Sequence, residues 1–330
     1  MRTHLVVALA AFAACLPAAS AADSSLLALA PPGSEVLVGI NLKQIRGSSL
    51  GEMLLAQAGP NNAQFKTFVE QAGFDPVRDV DEVLVAIPAK SGKPNGFVLV
   101  RGTFDAARFA KLAAGAGATA TDYHGVQIYA KGGEQEGQAA LALMDPSLLV
   151  AGDEVSVRAF VDRHGATGGL SEAVAAKASQ MAAANDVWIV MHTSPATFAP
   201  PGAAPPQAAA LLQSIEQAAI GLKLGSDIVL TADATTQTPE SAQNLVAALG
   251  LVSGMAASAE KGSNPAAAFL QKLKLGAEGN TVKLSLAVPE AEAAAAIRDA
   301  IAKMTQPAPK PAADSKPGDA NSEEEPPPGK

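Results

Sequence analysis

Glu82-Val83-Leu84-Val85-Ala86-Ile87-Pro88-Ala89, then Lys90-Ser91-Gly92-Lys93-Pro94-Asn95, then Gly96-Phe97-Val98-Leu99-Val100-Arg101-Gly102 is the stretch that decides the fold. Two apolar runs flank a polar segment rich in turn formers, which predicts an antiparallel hairpin with a longer turn. Similar apolar runs recur along the chain, alternating with amphipathic helical patterns. Hairpin spacing of this kind favours an α+β layout of mainly antiparallel sheet, with helices packed on one face, over a doubly wound parallel fold.

Working upstream, residues 35–42 follow Pro31-Pro32-Gly33 and read as the first strand. Ser49 and Glu52 fit a capping box ahead of Met53-Leu54-Leu55, with Ser49 at the N-cap. Phe65, Phe68 and Val69 fall at helical spacing in a second helix ending near Gly73. Downstream, residues 105–114 form a helix with Phe109 and Leu112 on its buried side. Strands follow near 119–123, 126–130, 139–144 and 147–151, and Asp153 caps a helix running to about Arg163. Residues 165–169 are a glycine-rich break, and residues 171–181 resume a helix.

After Asn185 the pattern starts again. Ser34-Glu35-Val36 and Asn185-Asp186-Val187 each open a hydrophobic strand. The strand at Phe97 and the helix at Phe109 have counterparts in Ile228-Val229-Leu230-Thr231 and the helix opened by Thr238-Pro239. Residues 282–288 and the helix that follows match the strand and helix around Ala151 and Asp153. The expected organisation is a signal peptide at 1–21, a first α+β unit at 22–182, a second, similar unit at 183–304 arising by internal duplication, and a disordered proline-rich acidic tail at 305–330.

The signal-peptide expectation rests on three parts: basic Arg2, an apolar stretch over residues 5–16, and small residues Ala19-Ser20-Ala21 before the cleavage point. It implies a periplasmic or secreted protein of the cell envelope. The apolar stretch is shorter than the roughly 20 residues a spanning helix needs, so no transmembrane span is expected after cleavage. Cys15 follows Phe12-Ala13-Ala14 and offers the alternative of a lipoprotein anchored through that residue. Cys15 is also the one cysteine of the 330-residue chain, so cleavage after Ala21 removes every thiol, and with it thiol nucleophiles, cysteine zinc sites and iron–sulfur ligation. The formal net charge of −8 repels nucleic acid, which is excluded as a partner.

Several short motifs suggest chemistry and fail on context. Gly47-Ser48-Ser49-Leu50-Gly51 matches a nucleophile elbow, yet Lys43 to Arg46 separate it from the preceding strand. Ser258-Ala259-Glu260-Lys261 and Lys90-Ser91-Gly92 match penicillin-recognising elements in reversed order. Residues 115–120 fit a dinucleotide fingerprint but follow a helix, where that fingerprint must follow a strand. Gly250 and Gly254, inside an uncharged run, suggest close packing of a soluble helix. Asp75, Asp79, Asp81 and Glu82 lack the spacing of a calcium loop and read as a turn followed by solvated residues. His124, His164 and His192 show no i, i+4 pairing.

Phe74-Asp75-Pro76, Asp79-Val80-Asp81-Glu82-Val83, Arg101-Gly102-Thr103-Phe104, Tyr123-His124-Gly125 and Ala151-Gly152-Asp153 resemble the recurring pattern of uncharacterised exported bacterial proteins of a domain-of-unknown-function type. The resemblance covers about residues 30–165 and implies no activity or site. No catalytic, cofactor-binding or metal residue is assigned, and no cofactor is expected. The leading expectation is a non-enzymatic exported module that binds an envelope protein or component through a sheet edge or a groove between its units. The alternatives are a periplasmic hydrolase with a site assembled from distant residues and a carrier of an apolar ligand.

Overall fold

The structure, a computed structural model, describes residues 25–58, 63–72, 74–88, 96–131, 139–163, 169–198, 206–259 and 269–305. The leader with Cys15, the turn at 90–95, His164 with the glycines after it, Glu260 and Lys261, and the tail from 306 lie outside the described residues.

The strands are β1 (Ser34–Asn41), β2 (Val80–Pro88), β3 (Phe97–Gly102), β4 (Thr119–Tyr123), β5 (Val126–Ala130), β6 (Ala139–Asp145), β7 (Leu148–Asp153), β8 (Val187–Met191), β9 (Ile215–Lys223), β10 (Asp227–Thr236), β11 (Lys274–Glu278) and β12 (Thr281–Pro289). They form one twelve-stranded sheet in the order β11-β12-β10-β9-β8-β1-β2-β3-β7-β6-β5-β4, and each neighbouring pair is antiparallel. The fold is therefore α+β, and the β2–β3 hairpin pairs Val85 with Val98 as its sequence predicts. β1 and β8 lie side by side at the centre, so the two halves of the chain build a single sheet.

The helices are α1 (Ser25–Leu29), α2 (Leu42–Arg46), α3 (Ser49–Ala58), α4 (Ala63–Ala72), α5 (Pro76–Asp79), α6 (Ala106–Gly115), α7 (Glu154–Asp162), α8 (Glu172–Ala184), α9 (Pro206–Gln213), α10 (Pro239–Ala259) and α11 (Glu290–Thr305). Side chains alternate between the faces of a strand, and Leu37 and Val38 mark the two faces here. On the Leu37 face, α1, α7 and α8 close a dry core over the first half: Leu37, Leu99 and Val150 are fully buried beneath Leu26, Val157 and Ala178. Trp188, Val190 and Ala219 from β8 and β9 belong to that same cluster, so the core crosses the boundary between the halves. On the Val38 face the helices gather over the second half. Ala293 of α11 packs with Ile45 of α2 and Leu50 of α3 over Leu222 and Leu286, and Ala242 and Leu245 of α10 pack on Ala234 and Val282.

Local chemistry sets most helix starts. Asp105, Asp153 and Ser171 accept the amides of Arg108, Ser156 and Val174, and Thr238 accepts that of Ser241 with Pro239 in the first turn of α10. The cap of α3 differs by one residue from the capping box read from sequence. Ser48, not Ser49, accepts the Gly51 amide at 3.0 Å, and the Leu50 amide is taken by Glu290 of α11 at 2.8 Å. The long-range carboxylate supplies the second acceptor, which fixes the start one residue earlier. A second correction concerns Gly250 and Gly254: a methyl group at either would meet open space, so they do not mark a close helix contact.

The acidic cluster is also less solvated than its sequence suggests. Asp75 caps the short helix α5, Val80 to Glu82 lie within β2, and Asp81 pairs with Arg46 at 2.6 Å. Asp79 accepts the Asp75 amide at 2.9 Å and the Arg78 Nε–H at 3.0 Å. Burial alone raises the pKa of Asp79, but these bonds and the charges of Arg78 and Arg108 outweigh it and hold the group below its ordinary value.

Two outcomes follow. Gly39 is crossed by the indole of Trp188, and a methyl group there would overlap the ring. Gly39→Ala should therefore lower the urea midpoint, costing about 1–3 kcal/mol by overpacking, followed through the fluorescence of the chain's one tryptophan; an unshifted midpoint would mean that the ring yields freely. The lowered Asp79 pKa contributes stability that is complete above the unfolded-state value and lost as pH falls through the folded one. Asp79→Asn should flatten the acid side of the stability curve below about pH 5, read by thermal unfolding across pH.

Candidate functional site

An antiparallel sheet with one covered face ordinarily alternates apolar and polar residues. The central strands here do not. Val36-Leu37-Val38, Val83-Leu84-Val85-Ala86-Ile87 and Phe97-Val98-Leu99-Val100 are apolar on both faces, and the Leu37 face alone takes their inward set into a dry core.

Register carries the outward set across the sheet. Val38 stands opposite Val85 on β2 and Ile189 on β8. Towards the β4 edge, Val85 meets Val98, Val98 meets Ala151, Ala151 meets Leu141 and Leu141 meets Tyr129. In the other direction Ile189 meets Ile220, Ile220 meets Ala232, Ala232 meets Leu284 and Leu284 meets Leu275. The row is apolar or aromatic on every strand it crosses, and none of these residues is buried. Leu141 is 38% exposed and Ile220 36%. In the second half the row is the floor between α10 and the α2–α3–α11 group. Leu251, Val252 and Met255, at the C-terminal end of α10, add further exposed apolar surface.

Two hollows deepen the first half of this surface. One, of 490 Å³, has Val98, Ala151, Leu141 and Tyr129 of the row in its wall and is bounded by Ala116, Ala118 and Lys131. The other, of 460 Å³, is lined by Phe74, Phe104, Phe109, Leu112 and Leu149, with Arg78, Asp79, Asp105 and Arg108 also in its wall. Phe109 of α6 meets the Tyr129 ring edge-on at 5.3 Å, which links the second hollow to the row. Phe74 lies 5.7 Å from Phe104, and Gly102 allows the end of β3 to approach the Asp79 carbonyl, where a side chain would overlap it. Thr103 donates its amide to that carbonyl at 2.8 Å, so α5 and the end of β3 form one rigid wall.

Several polar clusters elsewhere are engaged structurally. Asp186, almost fully buried, accepts Lys223 Nζ–H at 2.6 Å and the Leu224 amide at 2.7 Å, and Lys223 also reaches Gln44. This cluster ties the start of β8 and the end of β9 to α2. Ser49 lies beside it, and among the described residues the surrounding wall holds no histidine. His124 lies in a tight turn with positive φ, 3.5 Å from Asp162. His192 lies at the end of β8 in a polar groove with Lys177, paired to Asp233 at 2.8 Å. Among the described residues no group of three or more His, Cys, Asp or Glu side chains could hold a metal ion, and no helix is long and apolar enough to cross a membrane.

The sequence assigned no site residue, and the open face was missed because its members are scattered over β1 to β12. Its trace is the continuous apolar character of the central strands, which one covered face does not require.

No protein-family model matches the chain, and no curated protein matches it. Among solved structures it is similar to crystal form III of TP0453, with a TM-score of 0.53 at 12% identity over 83% of this chain and 97% of that one. Crystal form IV of TP0453 gives 0.51 at 13% identity over 82% of this chain and 95% of that one. At such identities the likeness is one of fold.

Proposed function

We propose that this chain is an exported, non-catalytic binding module of the cell envelope, and that its binding surface is the Val38 face of the sheet, which takes an apolar component. The observation that carries the reading is the unbroken apolar row from Leu275 to Tyr129, none of it buried, set against a Leu37 face that is packed dry over the first half. Contiguous apolar surface left open on a folded protein marks an interaction site. Export follows from the build of residues 1–21 and supplies the setting in which apolar envelope components are met.

The hydrolase alternative needs a nucleophile, a base and oxyanion donors in one cleft. The carrier and binding-module alternatives converge on the same face. The sheet-edge alternative is weaker: β4 and β11 are short, and β11 carries Lys274 and Glu278 at its ends, which discourages strand addition.

The test uses N-phenylnaphthylamine, a neutral apolar probe whose fluorescence rises in a dry site. It should bind the full chain. Leu141→Asp, at an exposed row position, should weaken that binding about tenfold, as loss of roughly 1.4 kcal/mol of apolar contact implies, while leaving the melting temperature within a few degrees of the parent. Leu99→Ala on the covered face should do the reverse, costing about 2–5 kcal/mol of stability with the probe still bound by the folded fraction. No probe binding, or equal binding by Leu141→Asp, would defeat the reading.

A further inference from the structure

We infer that the aromatic floor of the first half is covered, part of the time, by the chain's own proline triplet Pro326-Pro327-Pro328, which competes there with the apolar component. The inference rests on the Val38 face being the binding surface and adds to it how access to that surface is regulated.

The floor is aromatic and its rim is balanced in charge. Phe74, Phe104 and Phe109 line the 460 Å³ hollow, Tyr129 lines the 490 Å³ one, and the contact of Phe109 with Tyr129 joins the two. At the rim Arg78 pairs with Asp79 at 3.0 Å and Arg108 with Asp105 at 4.0 Å, so charge selects no occupant. Apolar contact and the count of hydrogen-bond donors select it instead.

β3, β7, β6 and β5 are each paired on both sides, so the floor offers side-chain carbon and no free ladder acceptor. An ordinary peptide laid across it would leave its amides unpaired. Proline is the exception, because it has no N–H to satisfy, and in an open groove its carbonyls keep their water. A run of prolines also holds the polyproline II shape without internal hydrogen bonds, so it loses little entropy on docking. Aromatic-lined grooves are the sites at which other proteins receive such runs.

This chain carries such a run within reach. Residues 306–330 follow α11, include the triplet, and lie outside the described residues. α11 packs over β10 and β12, and from β10 to the floor on β3, β7 and β6 is five to seven strand spacings, about 24–34 Å. Pro326 lies 21 residues beyond Thr305. A flexible segment of that length spans about 25 Å on average, and about 65 Å when drawn out as polyproline II. A linker whose mean span matches the gap gives an effective concentration on the order of mM, so even a weak contact with the floor is populated.

The experiment uses the full chain as the parent, as Pro326→Ser/Pro327→Ser/Pro328→Ser, and as Cys15→Ser/Lys330→Cys with a nitroxide at position 330. The serine variant returns three N–H donors and removes the rings. It should bind N-phenylnaphthylamine about threefold more tightly than the parent, as removal of a competing cover implies, with an unchanged melting temperature. The nitroxide should broaden the amide resonances of Ala118, Tyr129, Lys131 and Leu141 and leave those of β11 sharp, and the broadening should disappear when the three serine substitutions are added. Equal probe binding, or no broadening at the floor, would overturn the cover while leaving the open-face reading standing. Probe bound by neither the parent nor the serine variant would remove both. Mixing isotope-labelled parent with natural-abundance chain that bears the nitroxide tests a second copy: sharp floor resonances support a cover within one chain, whereas broadening as strong as in the singly labelled sample would place another copy's prolines on the floor and overturn it.

Discussion

The pairing of β1 with β8 is the constraint on which the rest of the molecule depends. It sets Val36 to Ile40 against Met191 to Val187 without a slip, and so joins two groups of strands into one pleated surface. Pleat parity then passes across the whole sheet, because directly opposed residues share a face and a shift of one residue would exchange the faces. Register irregularities do occur, between Ser34 and Val36, Val80 and Glu82, Leu143 and Asp145, and Thr235 and Thr236. All fall at strand ends. The middle of the sheet therefore keeps one parity from β11 to β4, which is why a single apolar row can cross it.

Given that parity, the two faces have different duties. The Leu37 face is dry and close-packed beneath α1, α7 and α8 in the first half, and turns polar in the second, where Asp233, Lys283 and Thr235 take the inward parity and Asp233 binds Lys177 of α8. The Val38 face has a different distribution: α2, α3, α10 and α11 lie over the second half, and the apolar floor of the first half is flanked by α6, whose Phe109 meets Tyr129. α2 and α3 contribute to this, because they come from the first half of the sequence yet pack with α11 on the second, while Arg46 at the end of α2 ties it to Val80 and Asp81 at the start of β2. The Glu290 carboxylate on the Leu50 amide and the Asp186–Lys223–Gln44 cluster hold them there.

How much of this was legible depends on the range of the interaction that decides it. Strands and the hairpin were readable, since Val83 to Ile87 and Phe97 to Val100 are runs with one outcome. Caps made within a few residues were readable too, as at Asp153, Ser171 and Thr238. The cap of α3 falls at Ser48, one residue before Ser49, where the Glu290 carboxylate, some 240 positions away, takes the Leu50 amide that a purely local reading leaves unassigned. Asp79 was read as solvated because nothing nearby in sequence shows that β3 ends against its carbonyl through Gly102 and Thr103. The face that each helix covers, and the meeting of Phe74, Phe104, Phe109 and Leu149 around one hollow, follow from sheet order alone. Central strands apolar on both faces were the one local sign that a second face wanted cover, and that sign does not say what the cover is.

An open apolar surface would ordinarily be a hazard in a chain that relies on packing instead of disulfides, since loosened strands invite aggregation. Here the hazard and the capacity to bind share a cause. Each central strand is held on both sides by ladder bonds and from behind by fully buried side chains such as Leu37, Leu84, Leu99 and Val150. Outward neighbours such as Val38, Val85, Val98 and Leu149 are thus fixed in place although nothing buries them. A ligand laid on that floor meets side chains whose backbone is already ordered, so association loses little of its free energy to arranging the site. Stiffness of the covered face is what makes the uncovered one usable.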